Sequence, residues 1–206
     1  MYKIGLTGGI ATGKSTVVKM LRTYGAAIID CDVLAREAVA PGSPGLARVA
    51  AVFGNEYVDE TGALRREKLG KAVFAEAAKK QQLERILFPY IYEAIAVAVR
   101  QWEARGAAVA VLDMPLLFEV EYQKYVDEVW LVYVTPDIQL RRLMARNGYD
   151  RHTAEARIHA QLPIDDKKKA ARVVIDNTGT LAATARQVAA QWRLLQARTA
   201  MFGRSV

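Results

Sequence analysis

The residues from Gly8 to Ser15 have the types and spacing of a phosphate-binding loop, matching G-x-x-x-x-G-K-[ST] at every fixed position. Glycines let backbone N–H groups converge on phosphate oxygens, and a helix N-terminus adds partial positive charge. Lys14 suits the β- and γ-phosphates, and the Ser15 hydroxyl can bind Mg²⁺. The motif therefore predicts a nucleoside triphosphate site. Its predicted phosphate-contacting residues are Gly8, Gly9, Ile10, Ala11, Thr12, Gly13, Lys14, Ser15 and Thr16.

Three aspartates follow apolar runs that are predicted strands. Asp30 and Asp32 come after residues 26–29, and Asp113 follows residues 107–112. Groups beyond the carboxyl ends of parallel strands line the ligand crevice, so Asp30 and Asp32 should approach the transferred phosphate. Asp113 has the position of a Walker-B carboxylate, which supports Mg²⁺ or its waters. Aspartate also caps helices and turns, and we expect at least one of Asp30 and Asp32 to be a cap.

Five arginines between residues 141 and 157 lie on both sides of the turn Asn147-Gly148 and suit a mobile lid. Planar guanidinium groups can pair with the oxygens of a transferring phosphoryl group, and a closed lid excludes water as a competing acceptor. We favour Arg142 and Arg146, which lie one helical turn apart. The alternative is a solvated helix face.

Two further patterns are interpreted as structural. His152 and His159 are the only histidines, and without a nearby third ligand they do not make a metal site. Residues 59–62 match the D-x-x-G element of GTPases, but only a weak strand at 56–58 precedes them and the guanine-reading N-K-x-D motif does not occur. We therefore predict a loop or hairpin turn at 59–62.

Apolar segments alternate with helical patterns along most of the chain, which predicts an α/β fold with a doubly wound parallel sheet. The five predicted strands are Tyr2–Thr7, Ala26–Asp30, Ala107–Leu112, Val126–Val134 and Arg172–Asp176. Predicted helices outside the long connection discussed next are 15–24, 33–39, 137–146, 151–161 and 181–196.

Residues 42–106 depart from this alternation, because a parallel crossover needs a dozen or more residues and roughly sixty are present. Apolar residues at three- and four-residue spacing predict helices at 43–53, 65–75 and 79–105. Pro89 should break or kink the last of these helices. We interpret the segment as a helical insertion that supplies substrate contacts.

Composition and charge limit the possible function classes. The chain is 25% charged and 52% hydrophobic, with no apolar run of membrane-span length and no signal-peptide layout. A single cysteine, Cys31, excludes an internal disulfide, so we expect a cytoplasmic protein without membrane attachment. The net charge of +7 suits either nucleic acid or small polyanions. Because the basic residues form no long tail or stripe, we expect no nucleic-acid partner.

These residues resemble the dephospho-CoA kinase family nearly from end to end. The resemblance lies in Gly5–Ile10 with Gly13–Ser15, Ile29–Asp32 (I-D-A-D in the family), Arg66–Phe74 (R-x-x-L-x-x-x-V-F), Asp113–Glu119 (D-x-P-L-L-F-E), Gln139 with Arg142, Leu143 and Arg146, Gln161, and Val174–Asn177. Thr12 replaces a serine and Cys31 an alanine. Phe88 stands where the family has histidine in a His-Pro pair, so no histidine role is carried over.

The resemblance implies that ATP phosphorylates the ribose 3′-hydroxyl of dephospho-CoA, giving CoA and ADP in the last step of coenzyme A synthesis. Asp32 is then expected to be the general base, and the arginines to stabilise the transferred charge. Mg²⁺ is the implied cofactor, and ATP is the co-substrate. The implied catalytic residues are Asp32, Lys14, Arg142 and Arg146. Asn177 is implied to bind ATP together with the loop, and the acceptor is implied to contact Asp32, Arg66 and Leu116. For Mg²⁺, the implied residues are Ser15 and, through water, Asp113.

The implied fold is a single domain, 1–206, of the P-loop NTPase type. Its core takes 1–40, 107–146 and 171–206, a helical CoA-binding insertion takes about 41–106, and an arginine-bearing lid takes about 147–170. The expected partners are the small molecules ATP and dephospho-CoA. Whether the chain is a monomer or a weak homo-oligomer is left open.

Two rival functions are consistent with part of the pattern. A nucleoside-monophosphate kinase or another small-metabolite kinase would keep the loop and lid with a different acceptor pocket. A nucleotide-dependent switch or binding module would keep the loop without transfer chemistry. Asp32, the arginine lid and the missing guanine-reading motif count against the switch.

Overall fold

The computed structural model describes residues 1–202, which form an α/β fold with a five-stranded parallel sheet, as predicted. The strands are β1 Tyr2–Gly8, β2 Ala27–Asp30, β3 Val109–Asp113, β4 Glu128–Tyr133 and β5 Val173–Asp176. The α-helices are α1 Lys14–Thr23, α2 Cys31–Glu37, α3 Pro44–Phe53, α4 Arg66–Ala75, α5 Ala77–Ala104, α6 Pro136–Asn147, α7 Arg151–His159, α8 Ile164–Ala170 and α9 Leu181–Phe202. Short 3₁₀ helices occupy Asn55–Tyr57 and Tyr122–Tyr125.

The strand order β2-β3-β1-β4-β5 places β1 in the middle of the sheet. β1 pairs in parallel with β3 on one side and with β4 on the other. The first three strands of the chain therefore form one side of the sheet, and β4 and β5 form the other side. The carboxyl end of β1 is the point where the order reverses, and open α/β sheets bind ligands at such a point. Gly8, the first residue of the loop motif, ends β1 at this position.

A hydrophobic cluster anchors the helix that follows the loop. Ile4 and Leu6 of β1 are fully buried, and they share the cluster with Val17 and Leu21 of α1 and with apolar residues of α9. Val17 and Leu21 are four residues apart, so they lie on the same face of α1. Full burial of each such side chain contributes about 1.5–3 kcal/mol. This packing fixes the start of α1 beyond the end of β1.

A buried carboxylate is held at the amino end of β4, the end of the strand away from the loop. The Glu128 side chain is fully buried, and Arg198 of α9 donates to its two oxygens at 3.0 and 3.1 Å. Trp130 Nε1 donates to the same carboxylate at 2.8 Å, and Arg172 Nε lies 3.2 Å from it. Both oxygens therefore have partners, which a buried charge requires to be tolerated.

We expect Arg198→Met to lower the free energy of unfolding by about 3 kcal/mol, because it removes the main partner of a buried carboxylate. Arg172→Met is the matched control: that side chain is 65% exposed, so its loss should cost less than about 1 kcal/mol. Urea denaturation of both variants measures the difference. Equal losses for the two variants would contradict this account of Glu128.

Contacts divide the described residues into two compact units. The first contains residues 1–29 and the described residues from 102 onward, and it includes β1, β3, β4 and β5. The second contains residues 30–101, and its elements are mainly helical. Its turn at 59–62 is a hairpin-like connection, since Val58 and Leu64 form an isolated antiparallel bridge across it. The boundaries and roles predicted for the insertion and the lid stay predictions.

Three local features differ from the sequence-based expectations. Helix α5 continues through Pro89, so the predicted break does not occur, because the other hydrogen bonds of a 28-residue helix remain where the proline removes one; a kink at Pro89 stays a prediction. The weak strand at 56–58 is replaced by the 3₁₀ helix Asn55–Tyr57 and a single bridge. The sequence patterns do not predict α8, because only one of its two buried residues, Ile164, is apolar and the other is Lys167.

Candidate functional site

The loop between β1 and α1 has the backbone conformation of an anion-binding nest. Ala11 and Gly13 have φ angles of 61° and 88°, in the left-handed region, and Gly13 is the residue before α1. Thr12, between them, is fully buried, and its hydroxyl donates to the Gly9 carbonyl at 2.9 Å. This hydrogen bond of the buried threonine therefore stabilises the conformation of the loop.

Asn177 holds the loop from the end of β5. It is buried, its Nδ2 donates to the Thr12 carbonyl at 2.8 Å, and its Oδ1 accepts from the Thr184 hydroxyl at 2.8 Å. A Cβ atom at Gly13 would collide with Asn177 Nδ2. Gly13 thus needs its missing side chain for two reasons, the positive φ and the close approach of Asn177. Asn177 is predicted to bind ATP, and in this structure its amide nitrogen contacts the loop.

Two glutamines hold the Ile10 peptide group on opposite sides. Gln161, after α7, accepts a hydrogen bond from the Ile10 N–H at 2.8 Å, and Gln139 of α6 donates to the Ile10 carbonyl at 2.9 Å. Gln139 is nearly fully buried, and a Cβ at Gly9 would collide with it. The resemblance implies that Gln139 lies at the entry of the lid and Gln161 at its exit, and no spacing in the sequence indicates these contacts.

Lys14 and Asp113 form an ion pair at the end of the central strands. Their side chains are 17% and 13% exposed. Asp113 ends β3 and pairs in register with Leu6 of β1, two residues before the loop. The structure therefore brings the predicted phosphate-binding cation and the predicted Walker-B carboxylate into direct contact.

Two cavities open on the loop and share residues of it. The first, of about 280 Å³, is lined by the loop residues 8–15 together with Pro115, Arg146 and Gln161. The second, of about 410 Å³, is lined by Ala11, Gly13, Ser15, Thr16, Arg142, Arg146, Asn177, Gly179 and Leu181. We call them the phosphate cavity and the side cavity. Together they contain every predicted ATP-binding residue.

The two favoured arginines project from α6 toward these cavities. Arg142 donates to the Asn177 carbonyl at 2.9 Å, and it lines the side cavity. Arg146 is exposed, its Nε donates to Asn147 Oδ1 at 2.8 Å, and it lines both cavities. Both guanidinium groups therefore lie beside the loop, where a phosphate would neutralise them.

No group of three or more His, Cys, Asp or Glu side chains suited to a metal is present among the described residues. Mg²⁺ in kinases uses one or two protein oxygens and takes its other ligands from phosphates and water, so it does not need such a cluster. Ser15 is exposed, lines both cavities and lies in the first turn of α1, and Asp113 contacts the neighbouring Lys14. Ser15 and Asp113 therefore fit the need of Mg²⁺ for one or two protein oxygens.

The two aspartates after β2 have different positions. Asp30 is the N-cap of α2, with its Oδ1 accepting from the Val33 N–H at 3.0 Å. Asp32 is exposed and lies in the first turn of α2, where the helix dipole favours a carboxylate. The cap role, which the sequence leaves open for both, therefore falls to Asp30.

The predicted acceptor residues lie apart along the chain. Arg66, in residues 30–101, is exposed, donates to the Arg36 carbonyl at 3.2 Å and lines a cavity of about 480 Å³ whose other residues include Lys68 and Lys71. Leu116 follows β3 in the other unit and is 44% exposed.

Of the two patterns interpreted as structural, the turn at 59–62 is held together by its aspartate. Asp59 Oδ1 accepts hydrogen bonds from the Thr61 hydroxyl, the Ala63 N–H and the Thr61 N–H. The Thr61 side chain and then the Ala63 backbone lower the pKa of Asp59, as expected for a turn aspartate. His152 and His159 are exposed on α7. Among residues 1–202, no helix is long and apolar enough to cross a membrane.

Comparison with known proteins gives consistent matches over most of the chain. A family model described as dephospho-CoA kinase matches residues 2–183. The dephospho-CoA kinase of Carboxydothermus hydrogenoformans is 46% identical over 185 residues, which are 90% of each chain. That of Arabidopsis thaliana is 45% identical over 182 residues, 88% of this chain and 78% of its own.

Two solved structures are similar in fold to this protein over most of the chain. A crystal structure from Thermus thermophilus has a TM-score of 0.80 at 33% identity and covers 94% of this chain and 97% of its own. The dephospho-CoA kinase from Campylobacter jejuni has a TM-score of 0.70 at 25% identity, covering 94% and 96%. The matches across most of the chain show that this protein is a kinase and that it belongs to the dephospho-CoA kinase family.

Proposed function

We propose that the protein transfers the γ-phosphoryl group of ATP to the ribose 3′-hydroxyl of dephospho-CoA, giving CoA and ADP. The 3′-oxygen forms a bond to the γ-phosphorus, the bond from that phosphorus to the β–γ bridging oxygen breaks, and the hydroxyl proton passes to a carboxylate. The observation that carries the proposal is the convergence of Lys14, Asp113 and two arginines on one phosphate-binding loop. The family membership supports the choice of acceptor.

ATP is proposed to bind with its phosphates in the phosphate cavity and its nucleoside toward the side cavity. The loop amides and the start of α1 supply N–H groups and partial positive charge for the β- and γ-phosphates. The contact with Asp113 holds the Lys14 ammonium beside this cavity, and Lys14 is the charge that the phosphates would attract. Asn177 keeps the loop in its binding conformation through the Thr12 carbonyl.

Mg²⁺ is the proposed cofactor, with Ser15 as a direct ligand and Asp113 holding one of its waters. When bound, the ion neutralises charge that develops on the phosphates during transfer. Ser15 presents its hydroxyl at the loop, and Asp113 adds a carboxylate within reach of Lys14. Both are oxygen ligands of the type that this ion prefers.

Asp32 is proposed as the general base that accepts the 3′-hydroxyl proton. Its carboxylate is exposed at the start of α2, whereas the neighbouring Asp30 serves as the N-cap. An exposed carboxylate can both orient a hydroxyl and take its proton as the bond to phosphorus forms. Residues of the predicted insertion and Leu116 are proposed to hold the rest of the acceptor.

The direct test of this function is mass spectrometry of the product formed from ATP, Mg²⁺ and dephospho-CoA. The expected product is CoA with the added phosphate on the 3′-oxygen, formed in equal amount to ADP. A panel of other acceptors, including nucleoside monophosphates, distinguishes the rival small-metabolite kinases. Slow ADP release that does not depend on any acceptor would instead favour a binding module or switch.

Replacing Arg66 with alanine should raise the KM for dephospho-CoA by about tenfold or more and leave the KM for ATP unchanged. The physical reason is the loss of a guanidinium group suited to the acceptor's diphosphate, since charge-assisted pairs of this type contribute about 1.5–3 kcal/mol. Arg48→Ala is the control, because Arg48 is an exposed arginine of α3 in the same unit. Steady-state kinetics with each substrate varied separately measures both constants. An unchanged KM for dephospho-CoA would move the acceptor site away from Arg66.

The protein is proposed to act in the cytoplasm on these small molecules. Its one thiol, at Cys31, is buried, which suits a reducing compartment and does not require oxidative folding.

A further inference from the structure

Lys167 of α8 is one of the few charged side chains in the described structure that is removed from solvent. Its side chain has no exposed surface, and its Nζ lies 2.7 Å from Glu119 Oε1. The same ammonium donates to the Pro115 carbonyl at 3.3 Å. Lysine is almost never fully buried unless it is paired, so these two contacts are what keeps the charge inside.

The Lys167–Glu119 pair lies behind two walls of the phosphate cavity. Pro115 forms part of one wall, and Lys167 holds its carbonyl. Gln161 forms part of another wall. The residue after Gln161, Leu162, donates its N–H to Glu119 Oε1 at 3.0 Å. One ion pair thus anchors both the loop after β3 and the connection between α7 and α8.

Each of the two anchored walls also contacts either β1 or the phosphate-binding loop. The Pro115 carbonyl accepts from the hydroxyl of Thr7, which lies in β1 directly before the phosphate-binding loop. Gln161 holds the Ile10 N–H within that loop. A shift of either wall would therefore move the loop or the segment that begins at Asp113, and with it the partner of Lys14.

The Glu119 carboxylate, whose side chain is 17% exposed, has fewer hydrogen-bond partners than the fully buried carboxylate of Glu128. Both oxygens of Glu128 have partners. Glu119 Oε2 is buried without a hydrogen-bond partner in the described part of the chain. Because desolvation of a buried ion pair consumes most of its attraction, a half-satisfied pair contributes little to stability. Its location behind the cavity suggests a different role.

We propose that Lys167 is a positioning residue for phosphoryl transfer: through Glu119 and the Pro115 carbonyl it fixes the two walls of the phosphate cavity against the loop. The proposal rests on the proposed function only for the transfer step, since ATP binding alone already reports the position of the walls. Lys167 itself contacts no substrate in this account. Its effect reaches ATP through Pro115 and Gln161.

The test compares Lys167→Met with the double variant Lys167→Met/Glu119→Gln. The single variant leaves the largely buried Glu119 carboxylate without its cation and should lower the melting temperature. The double variant removes that charge, and the amide oxygen of the introduced glutamine can still accept from the Leu162 N–H. Its melting temperature should therefore recover in large part.

Calorimetry with ATP and Mg²⁺, without acceptor, then gives the dissociation constant of ATP for each variant. The measurement is made at a temperature where the variants are folded.

We expect the double variant to bind ATP about tenfold more weakly than wild type and to turn over about tenfold more slowly, despite its recovered melting temperature. Arg198→Met is the matched control, because it removes a partner of the buried Glu128 carboxylate at the far end of β4 and should keep the wild-type ATP affinity. Recovery of ATP affinity together with the melting temperature would overturn the proposal. If Lys167→Met does not fold, the ATP affinity of the double variant by itself tests the proposal.

A wild-type protein that binds ATP but does not phosphorylate dephospho-CoA would count against the proposed function. The calorimetric comparison of ATP affinities would still test the role of Lys167.

Discussion

Asp32→Asn is expected to lower kcat for dephospho-CoA phosphorylation by about 10²–10⁴-fold, the range for loss of a general base. Asparagine has the same shape but cannot accept the 3′-hydroxyl proton at neutral pH. The KM for ATP should stay within about threefold of wild type, since the change removes an interaction needed only on the way to the transition state. Steady-state assays of ADP release with saturating ATP and varied dephospho-CoA measure kcat, and a second series with varied ATP gives the KM for ATP.

Asp30→Asn is the matched control for this experiment. Asp30 is two residues away and also exposed, but its carboxylate caps α2 by accepting from the Val33 N–H. Asparagine caps helices about as well as aspartate, so α2 should keep its start and kcat should stay within about threefold. If Asp32→Asn also stays within that limit, Asp32 is not the base. If Asp30→Asn shows the larger loss, the two carboxylates have been assigned in the wrong order.

Arg142→Met is expected to lower kcat by about 10³-fold, the lower part of the range seen when a phosphoryl-transfer arginine is lost. Arg142 shares its cavity with the loop residues Gly13, Ser15 and Thr16, so its guanidinium lies beside the loop and can pair with two oxygens of a phosphate bound there. Lysine at this position should restore only part of the activity, because an ammonium is a point charge without the planar fork. The comparison of kcat among the arginine, lysine and methionine forms is the measurement.

Arg141→Met is the control for loss of charge on the same helix. Arg141 is exposed and precedes Arg142 in α6, yet it lines neither of the two cavities. Its loss should change kcat by less than about twofold, as expected for a solvated position. Similar kcat losses in both variants would mean that net charge, and not the position of Arg142, sets the rate.

The melting temperature separates a direct effect of Arg142 from one that acts through the loop. Arg142 donates to the Asn177 carbonyl, so its loss removes one contact of a residue that braces the loop. We expect Asn177 to keep its contacts with Thr12 and Thr184 in the variant, because neither contact involves Arg142. An unchanged melting temperature of Arg142→Met would therefore show that the loop is intact.

The phosphate-binding loop could be predicted from the sequence because its conformation depends on consecutive residues. The left-handed φ of Gly13, the helix start at Lys14 and the strand before Gly8 all follow from local residue types. The parallel sheet could be predicted for a related reason: each strand is a short apolar run, and the spacing between runs leaves room for crossovers.

The contacts that hold the loop in place could not be predicted in this way. Asn177 is 165 residues from Thr12, Gln161 is 151 residues from Ile10, and Gln139 is 129 residues from it. Nothing in the spacing of such residues indicates that they meet, because the sheet order determines which strand ends lie side by side. The resemblance names these residues, but their hydrogen bonds follow only from the tertiary structure.

What the sequence by itself determined is the class of the protein: a nucleotide-binding α/β kinase with its loop, its strand-end aspartates and its arginines in order. Tertiary structure decided how individual side chains are used. It made Asp30 a cap, and it buried Lys167, which stands in a run of three lysines with the appearance of a solvated surface. The physical reason is that burial depends on the packing of distant segments, so identical residues in one run can have opposite environments. Lys167 has no exposed surface, whereas Lys169 is 78% exposed.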